Sequence, residues 1–516
     1  MSFAKVFSAE TFLLTAHLVS VEVDISRGLH AFSVVGLPDK AVEEAKDRVS
    51  AAIKNSGFTS PKQKNQKVTI SLAPADLKKE GPAFDLPMAL AYLLAEKEVR
   101  FNPEGKLFLG ELSLRGELRP VRGVLPLVSE GVRRELKEIF VPAGNAREAA
   151  LVDNATVYAV NTLKEITEHL DERRGNGQRR CLAAEPKTPI SAALTEPVFD
   201  LSDIKGQEAG KRGLEIAAAG GHNIALFGPP GTGKTMLARS LPGILPPLSD
   251  EEVLEVTAIH SVAGALKGEY VRERPFRAPH HTASYVSLVG GGTFPKPGEV
   301  TLAHRGVLFM DEFPEFDRRV IESLRGPLED KVVSVARARG SASFPADFIL
   351  IAALNPCPCG KFGSGERCVC LPSVLARYRR KVSGPIADRI DMWIEVPALS
   401  SAVLSGKGKT ERESEEVRKK ITAARARQKE RFEKAGLRIL TNSEMSGRHL
   451  DRLVPLDDKT QSALNLAADR MRLSARSYHR IIKLARTIAD LEGDETVTED
   501  HIHEALQYRP KQLDNL

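Results

Sequence analysis

Aromatic residues are scarce. They form 5% of the chain, with a single Trp, so little is available for stacking on bases. Cysteine is scarcer: there are 5 in 516 residues, four of them crowded between 357 and 370. Such clustering is not the spread framework of a secreted disulfide scaffold, and a reducing cytoplasm is the expected setting. No window approaches the roughly 18 uninterrupted apolar residues of a membrane span, so no membrane partner is expected. The N-terminal MSFAKVFSAETFLLTAHLVS lacks the basic region and small-residue cleavage site of an export signal. Charge of one sign is lacking too: Lys+Arg 74 against Asp+Glu 68 leaves +6, which permits an acidic polymer as partner without requiring one. With 42% hydrophobic and 28% charged residues the chain is no disordered polymer. Its length suits about three domains at roughly 100–200 residues each.

Residues 1–170 alternate β-like runs (Val19 to Ile25, Val68 to Leu72, Lys106 to Leu109, Glu138 to Val141) with helical stretches at Pro38 to Ser56 and Pro87 to Leu94, which predicts an α/β domain. Residues 171–198 are rich in Arg, Gly and Pro, carry neither hydrophobic period, and read as a linker. Strands and helices alternate again over 199–397. Residues 398–516 then read as a charged helix entering an all-helical domain. Within them, 401–440 carry 12 Lys/Arg and 6 Asp/Glu, a local excess of +6. A solvated helix face is the plain reading of such a run, and a phosphate-binding surface the alternative.

Asn223-Ile-Ala-Leu-Phe227 runs straight into Gly228-Pro229-Pro230-Gly231-Thr232-Gly233-Lys234-Thr235 and then a helical stretch. This is the P-loop pattern in its strand, loop, helix context. The glycines let backbone N–H groups converge on phosphate oxygens at a helix N-terminus; Lys234 would reach the β/γ-phosphates and Thr235 a Mg²⁺ ion. A second apolar run, Gly306 to Met310, ends in Asp311 and Glu312. Asp311 suits a Mg²⁺ contact and Glu312 suits the base that polarises an attacking water. A third, Phe348 to Leu354, ends in Asn355, placed to orient that water. ATP and Mg²⁺ are therefore the expected ligands. Arg389, in Ser-Gly-Pro-Ile-Ala-Asp-Arg-Ile-Asp, and Arg476, in Leu-Ser-Ala-Arg-Ser-Tyr-His, complete the inventory.

With these spacings the chain resembles the AAA+ ATPases, in the branch that holds the magnesium-chelatase ATPase subunit and the MCM helicases. The resemblance implies that Asn355 is sensor 1, Arg389 the arginine finger and Arg476 sensor 2, and that the chain forms a homo-oligomeric ring, usually of six subunits. The string RPFRAPHHTASYVSLVGGGTFPKPGEVTLAHRG at 274–306 resembles the helix-2 insert, a loop facing the pore of such rings. Over the AAA+ and C-terminal parts the chain resembles the ComM-type family of magnesium-chelatase-like competence helicases. That family resemblance implies a motor acting on single-stranded and branched DNA beside recombination proteins, with branch migration during natural transformation as its output. A chelatase-type or protein-remodelling ATPase is the alternative. His280 and His281 are expected in ordinary hydrogen-bonding roles.

A hairpin is expected from Lys331 to Phe348, with Lys331, Arg337 and Arg339 as candidates for DNA phosphate contacts and solvated charge as the alternative; Lys296 in the Gly-rich insert is a further candidate. Two strings in the first domain, Glu80 to Ala89 and Gly110 to Val124, resemble the Lon protease domain. The nucleophilic Ser is replaced by Ala83 and the Lys by Leu125, so Ser–Lys catalysis has no reagents and an inactive Lon-like platform is expected. Cys357, Cys359, Cys368 and Cys370 put four thiols in a short span, as for a tetrahedral structural Zn²⁺; free thiols and redox pairing are the alternatives.

Overall fold

The computed structural model describes residues 2–173, 181–190, 199–291, 296–337, 340–362, 367–382, 384–400 and 412–509. It divides into two units, one of Met1–Ser191 with Ser249–Arg272, the other of Ala192–Leu248 with Glu273–Leu516.

The first unit is α/β, as its alternating pattern implies. A four-stranded sheet orders Ser2–Phe12, Thr15–Arg27, Gln66–Ala73 and Ala31–Val35; the last pair is parallel and the others antiparallel. The strand Ser2–Phe12 falls in the stretch tested only as an export signal. A three-stranded parallel sheet orders Lys106–Phe108, Glu138–Pro142 and Thr156–Val160. Helices Lys40–Asn55 and Asp85–Ala95 match the two expected helical stretches to within a few residues. The strings Glu80 to Ala89 and Gly110 to Val124 are stitched together: Gly110 N–H donates to the Ala83 carbonyl (3.0 Å) and Leu86 N–H to the Gly110 carbonyl (3.1 Å). The buried Asp85 carboxylate accepts from Arg48 Nε (2.9 Å) and from Leu112 N–H (3.1 Å). Burial raises the Asp85 carboxyl to about 6 in spite of the Arg48 partner.

Two expectations change here. Helix Asp250–Ala263, expected within the nucleotide-binding core, belongs to the first unit. The reason is a buried polar pin: Ser261 Oγ donates to the Glu148 carboxylate (2.5 Å) and accepts from Gly123 N–H (3.0 Å), while Glu148 also accepts from Leu125 N–H (2.9 Å). Part of the expected linker is likewise ordered on the first unit. Glu185 N–H donates to the Val157 carbonyl (2.8 Å), and the buried Thr188 bonds to Ala150 and Arg147 carbonyls. A polar, Pro-rich stretch has no hydrophobic period, yet its backbone groups still pair with an edge.

The second unit is built on a five-stranded parallel sheet in the order Phe276–Arg277, Val307–Met310, Ile349–Leu354, Ile224–Phe227, Met392–Glu395. The central strands are apolar throughout and buried on both faces, as parallel sheets require. The C-terminal helices do not close a core of their own. Ile421, Ala424 and Phe432 of helix Glu413–Lys434 and Ile481, Leu484 and Ile488 of helix Ala475–Glu492 share one cluster with Leu226, Leu237 and Ile351 of the sheet region. Part of the basic run is used internally. Arg425 donates to the Ala218 carbonyl (3.0 and 2.7 Å) and Gln428 to the Ala219 carbonyl (3.1 Å), capping the end of helix Glu208–Gly220. Arg427 donates to the Asp490 carbonyl (2.6 Å) and Arg431 pairs with the Asp490 carboxylate.

A buried carboxylate joins lid to sheet. Asp391 precedes strand Met392–Glu395; it pairs with Arg480 Nε of helix Ala475–Glu492 (3.0 Å) and with His222 Nδ1 (3.6 Å), and accepts from Asn223 N–H (3.0 Å). Burial alone would raise the Asp391 carboxyl, but the His222 hydrogen bond and the Arg480 and Lys483 charges hold it well below the usual range. Removing one partner of a buried pair costs about 3–5 kcal/mol. Arg480→Ala should therefore lower the urea midpoint of the second unit, read by the fluorescence of Trp393, the chain's single Trp. A depressed carboxyl contributes stability above its unfolded value, which is lost as pH falls through and below about 4. Asp391→Asn should flatten that acid limb; an unchanged limb would remove Asp391 from the account.

Candidate nucleotide site

The P-loop lies at the carboxyl end of strand Ile224–Phe227, which runs between Ile349–Leu354, followed by Asn355, and Met392–Glu395; Val307–Met310, followed by Asp311, is the next strand beyond Ile349–Leu354, and this carboxyl edge is where ligands bind in open parallel sheets. Backbone demands explain its glycines. Gly231 and Gly233 have φ of +77° and +92°, and a Cβ on Gly228 would lie 2.1 Å from the Val396 carbonyl oxygen. Pro229, Pro230 and Thr232 complete the loop, and Thr232 Oγ1 donates to the Pro229 carbonyl (3.0 Å). Gln207, which the sequence did not single out, fastens it from outside: its Nε2 donates to the Thr232 carbonyl (3.1 Å) and the Pro397 carbonyl (2.8 Å).

Lys234 opens helix Lys234–Ile244, and its ammonium is buried in a ring of oxygens: the Gly228 carbonyl (2.7 Å), the Pro229 carbonyl (2.7 Å) and Asn355 Oδ1 (3.1 Å). Burial lowers its pKa, with Asp311 acting in the opposite sense. Thr235 Oγ1 donates to Asp311 Oδ2 (3.1 Å). A hydroxyl and a carboxylate oxygen so close form the hard donor set that suits Mg²⁺. Glu312 is exposed, with φ of +50°, a left-handed backbone that non-glycine residues seldom adopt, held by its own N–H donating to Asp311 Oδ1 (2.9 Å). The structure thus brings Lys234 to Asn355 and Thr235 to Asp311, with Glu312 next to Asp311 along the chain.

His281 Nδ1 lies 3.3 Å from Glu312 Oε2. Adjacent residues on an extended chain would point apart, but this stretch turns, and the His280 and His281 rings come within 4.2 Å. His280 keeps an ordinary role, bonded to Thr282 Oγ1 (2.8 Å).

Arg389 and Arg476 meet on one carboxylate. Both guanidiniums pair with Glu329, at the end of helix Arg325–Asp330, and Arg389 also donates to the Pro385 carbonyl (2.8 Å). The Arg389 hydrogen bond, with both positive charges, keeps the Glu329 carboxyl below its usual range. Nothing local marks Glu329, which looks like any exposed helix acid.

The expected hairpin is present, Val332–Arg337 pairing antiparallel with Gly340–Pro345. Lys331 lies at its base with a left-handed backbone, and its ammonium pairs with Asp347 (3.0 Å), which also binds Arg305 (2.8 Å). The charge of Lys331 is thus shared with Asp347. Arg337 is the last residue of its strand, and Arg339 lies outside the described residues. Lys296 is exposed in a two-residue strand paired with Gly290–Gly291. Among the described residues no helix is long and apolar enough to cross a membrane.

The sheet, P-loop and carboxylate pair define a magnesium-chelatase-like AAA+ protein. Three family models agree: "Magnesium chelatase, subunit ChlI" over residues 200–404, "Subunit ChlI of Mg-chelatase" over 21–145, and "Magnesium chelatase, subunit ChlI C-terminal" over 411–509. The chain is 42% identical over 513 residues to the competence protein ComM of Haemophilus influenzae, covering 99% of this chain and 98% of that one. It is also 42% identical over 511 residues to the protein YifB of Salmonella typhimurium, covering 99% and 97%. The chain belongs to the ComM/YifB family of magnesium-chelatase-like AAA+ proteins. A match to the Magnesium-chelatase 67 kDa subunit of Heliobacterium mobile is 29% identical and covers 30% of this chain.

If both arginines reach nucleotide phosphates, they must leave Glu329. Exposed ion pairs are worth about 0.2–1 kcal/mol each, so Glu329→Gln should tighten affinity for a fluorescent ATP analogue about 2–5-fold. An equal or weaker affinity would show that Glu329 does not compete with nucleotide.

Proposed function

We propose that this protein is an ATP-hydrolysing ring motor that translocates on DNA and promotes branch migration in recombination, in the cytoplasm and during natural transformation. The observation that carries the hydrolytic part is the pair of contacts Lys234 to Asn355 (3.1 Å) and Thr235 to Asp311 (3.1 Å) at the end of a parallel sheet. The full-length similarity to a competence protein supports the DNA part.

The turn at Gly231 and Gly233 presents backbone N–H groups to phosphate oxygens, while the Gly228 N–H donates to the Leu354 carbonyl (3.2 Å) and fixes the loop on the sheet, and Lys234 offers the charge for the β/γ-phosphates. Mg²⁺ on Thr235 and Asp311 would supply neutralisation of those phosphate oxygens. Glu312 accepts a proton from the attacking water, with His281 beside its carboxylate (3.3 Å), and Asn355 orients that water. Arg389 acts in trans on the nucleotide of a neighbouring subunit and Arg476 in cis, which requires a homo-oligomer, a hexamer by family resemblance.

The N-terminal unit serves as an inactive Lon-like platform. Ala83 has no hydroxyl and the buried Leu125 no amine, so the protease reagents are absent. DNA phosphates are met by Arg337, Arg339 and Lys296; Lys331, Arg425, Arg427 and Arg431 are engaged internally.

Two measurements test this. Glu312→Gln should bind ATP and stall, with the ATPase rate reduced about 100-fold or more, whereas Lys234→Ala should fail to bind; parental turnover by Glu312→Gln would refute the base. DNA, single-stranded or branched, should stimulate ATPase, and duplex affinity should fall by about 0.9 log units per log unit of salt for each phosphate neutralised. The double variant Arg337→Ala, Arg339→Ala should lose stimulation and keep basal ATPase. An assembled ATPase that neither binds DNA at low salt nor moves a three- or four-way junction would transfer the reading to a chelatase-type or protein-remodelling role.

A further inference from the structure

The loop after Asn355 carries four cysteines with no assigned part in nucleotide chemistry. The Sγ atoms of Cys357 and Cys359 lie 3.3 Å apart, those of Cys357 and Cys368 3.8 Å, and those of Cys359 and Cys368 3.6 Å; Cys370 completes a set within 4.8 Å. A tetrahedral ion with bonds of ~2.3 Å to sulfur sets its ligands ~3.8 Å apart. These separations match that edge and are far beyond a covalent S–S bond, and all four thiols are free. Cys357 is buried, the other three half-buried, and Phe362 N–H donates to Cys357 Sγ (3.3 Å), the kind of contact that supports a thiolate ligand. Four sulfurs facing one another are unfavourable as bare thiolates, and a closed all-sulfur tetrahedron favours Zn²⁺ over hard cations.

The loop touches the nucleotide site at two points. Asn355, whose Oδ1 accepts from Lys234, is two residues before Cys357, and its carbonyl accepts from the Tyr378 hydroxyl (3.1 Å). Gly360, one residue after Cys359, has φ of +77°, and its N–H donates to the Cys357 carbonyl (2.9 Å). A Cβ there would lie 2.6 Å from Pro230 Cδ and 2.9 Å from Pro230 Cγ. The cysteine turn is thus seated directly on the P-loop while its leading end carries Asn355.

We propose that Cys357, Cys359, Cys368 and Cys370 bind one Zn²⁺ ion, and that the closed loop braces the nucleotide site by fixing Asn355 against Lys234 and Gly360 against Pro230. The metal is structural: all four positions are taken by protein sulfur, leaving none for water or substrate. Its effect on nucleotide is one of positioning, and it rests on the P-loop being the nucleotide site.

The test uses the full chain, purified without chelator. Elemental analysis should find about one Zn²⁺ per chain and no iron, since four thiolates form one closed site. The double variant Cys368→Ser, Cys370→Ser should lose the zinc and bind a fluorescent ATP analogue about tenfold more weakly, with the Trp393 unfolding transition showing that the sheet core persists. Gly360→Val leaves the ligands in place; it should keep the zinc and still weaken nucleotide binding, and it decides the matter should the cysteine variant not fold. Metal-free or iron-bearing wild type overturns the site. Zinc-free cysteine variant, or Gly360→Val, with unchanged nucleotide affinity overturns the brace. Wild type that carries zinc and binds no nucleotide refutes the ATPase reading and the brace, and leaves the zinc site standing.

Discussion

A buried ammonium organises the second unit. Lys234 cannot be withdrawn from water without oxygens around it, and three are supplied: two P-loop carbonyls and the Asn355 amide. Each comes from a different demand on the chain. The carbonyls need a loop tight enough to turn back over the helix start, which glycines at φ of +77° and +92° allow. The amide needs strand Ile349–Leu354 beside strand Ile224–Phe227, in the register that pairs Phe227 with Leu354. Once strand Val307–Met310 pairs on the other side of Ile349–Leu354, Asp311 falls within reach of Thr235. One charge thus ties loop geometry, sheet order and carboxylate placement together.

The second dependency is the joint between sheet and lid. Asp391 stands two residues after Arg389, and its partner Arg480 stands one helical turn after Arg476. The buried pair therefore sets both the strand approach that carries Arg389 and the helix that carries Arg476. Glu329 then gathers both guanidiniums. The hydrophobic cluster is continuous across this joint, so a lid movement large enough to part Arg480 from Asp391 must also expose Ile481 and Leu484 from that cluster. A small rotation of the exposed Arg476 is cheap, whereas a swing of the whole helix that carries it is not.

Local signals made the nucleotide chemistry legible. The glycine run after an apolar strand, the paired carboxylates at Asp311 and Glu312 and the amide at Asn355 each sit at the end of a buried hydrophobic run, and such runs declare themselves in sequence. The hairpin from Val332 to Pro345 was legible for the same reason. Glu329, Gln207 and Asp391 were not, because a polar side chain gives no sign of a partner 60, 168 or 190 residues away. The Lys331–Asp347 pair is likewise silent in the sequence, because the two residues meet only once the hairpin closes. The basic run at 401–440 combines solvated pairs such as Lys419 with Glu415 and internal ones that its composition does not reveal. Arg425, Arg427 and Arg431 satisfy carbonyls and a carboxylate at helix ends, a use of charge that counting cannot distinguish from a surface for DNA.

The helix Asp250–Ala263 belongs to a different unit from the segments that precede and follow it. It follows the P-loop helix by a short Leu-Pro-Pro-Leu-Ser run and precedes strand Phe276–Arg277, so it is covalently held at both ends by the nucleotide-binding sheet unit. Its side chains nevertheless complete the first unit, through Ser261 on the buried Glu148. Burial raises the Glu148 carboxyl, and the Ser261 and Leu125 bonds oppose that rise, so the pin consists of a desolvated acid satisfied by the helix it holds. A helix merely laid on a surface could slide; one that supplies a hydrogen bond to a buried acid has a defined register. The chain therefore passes between the units at 191/192, 248/249 and 272/273, and the last two passages flank one pinned helix.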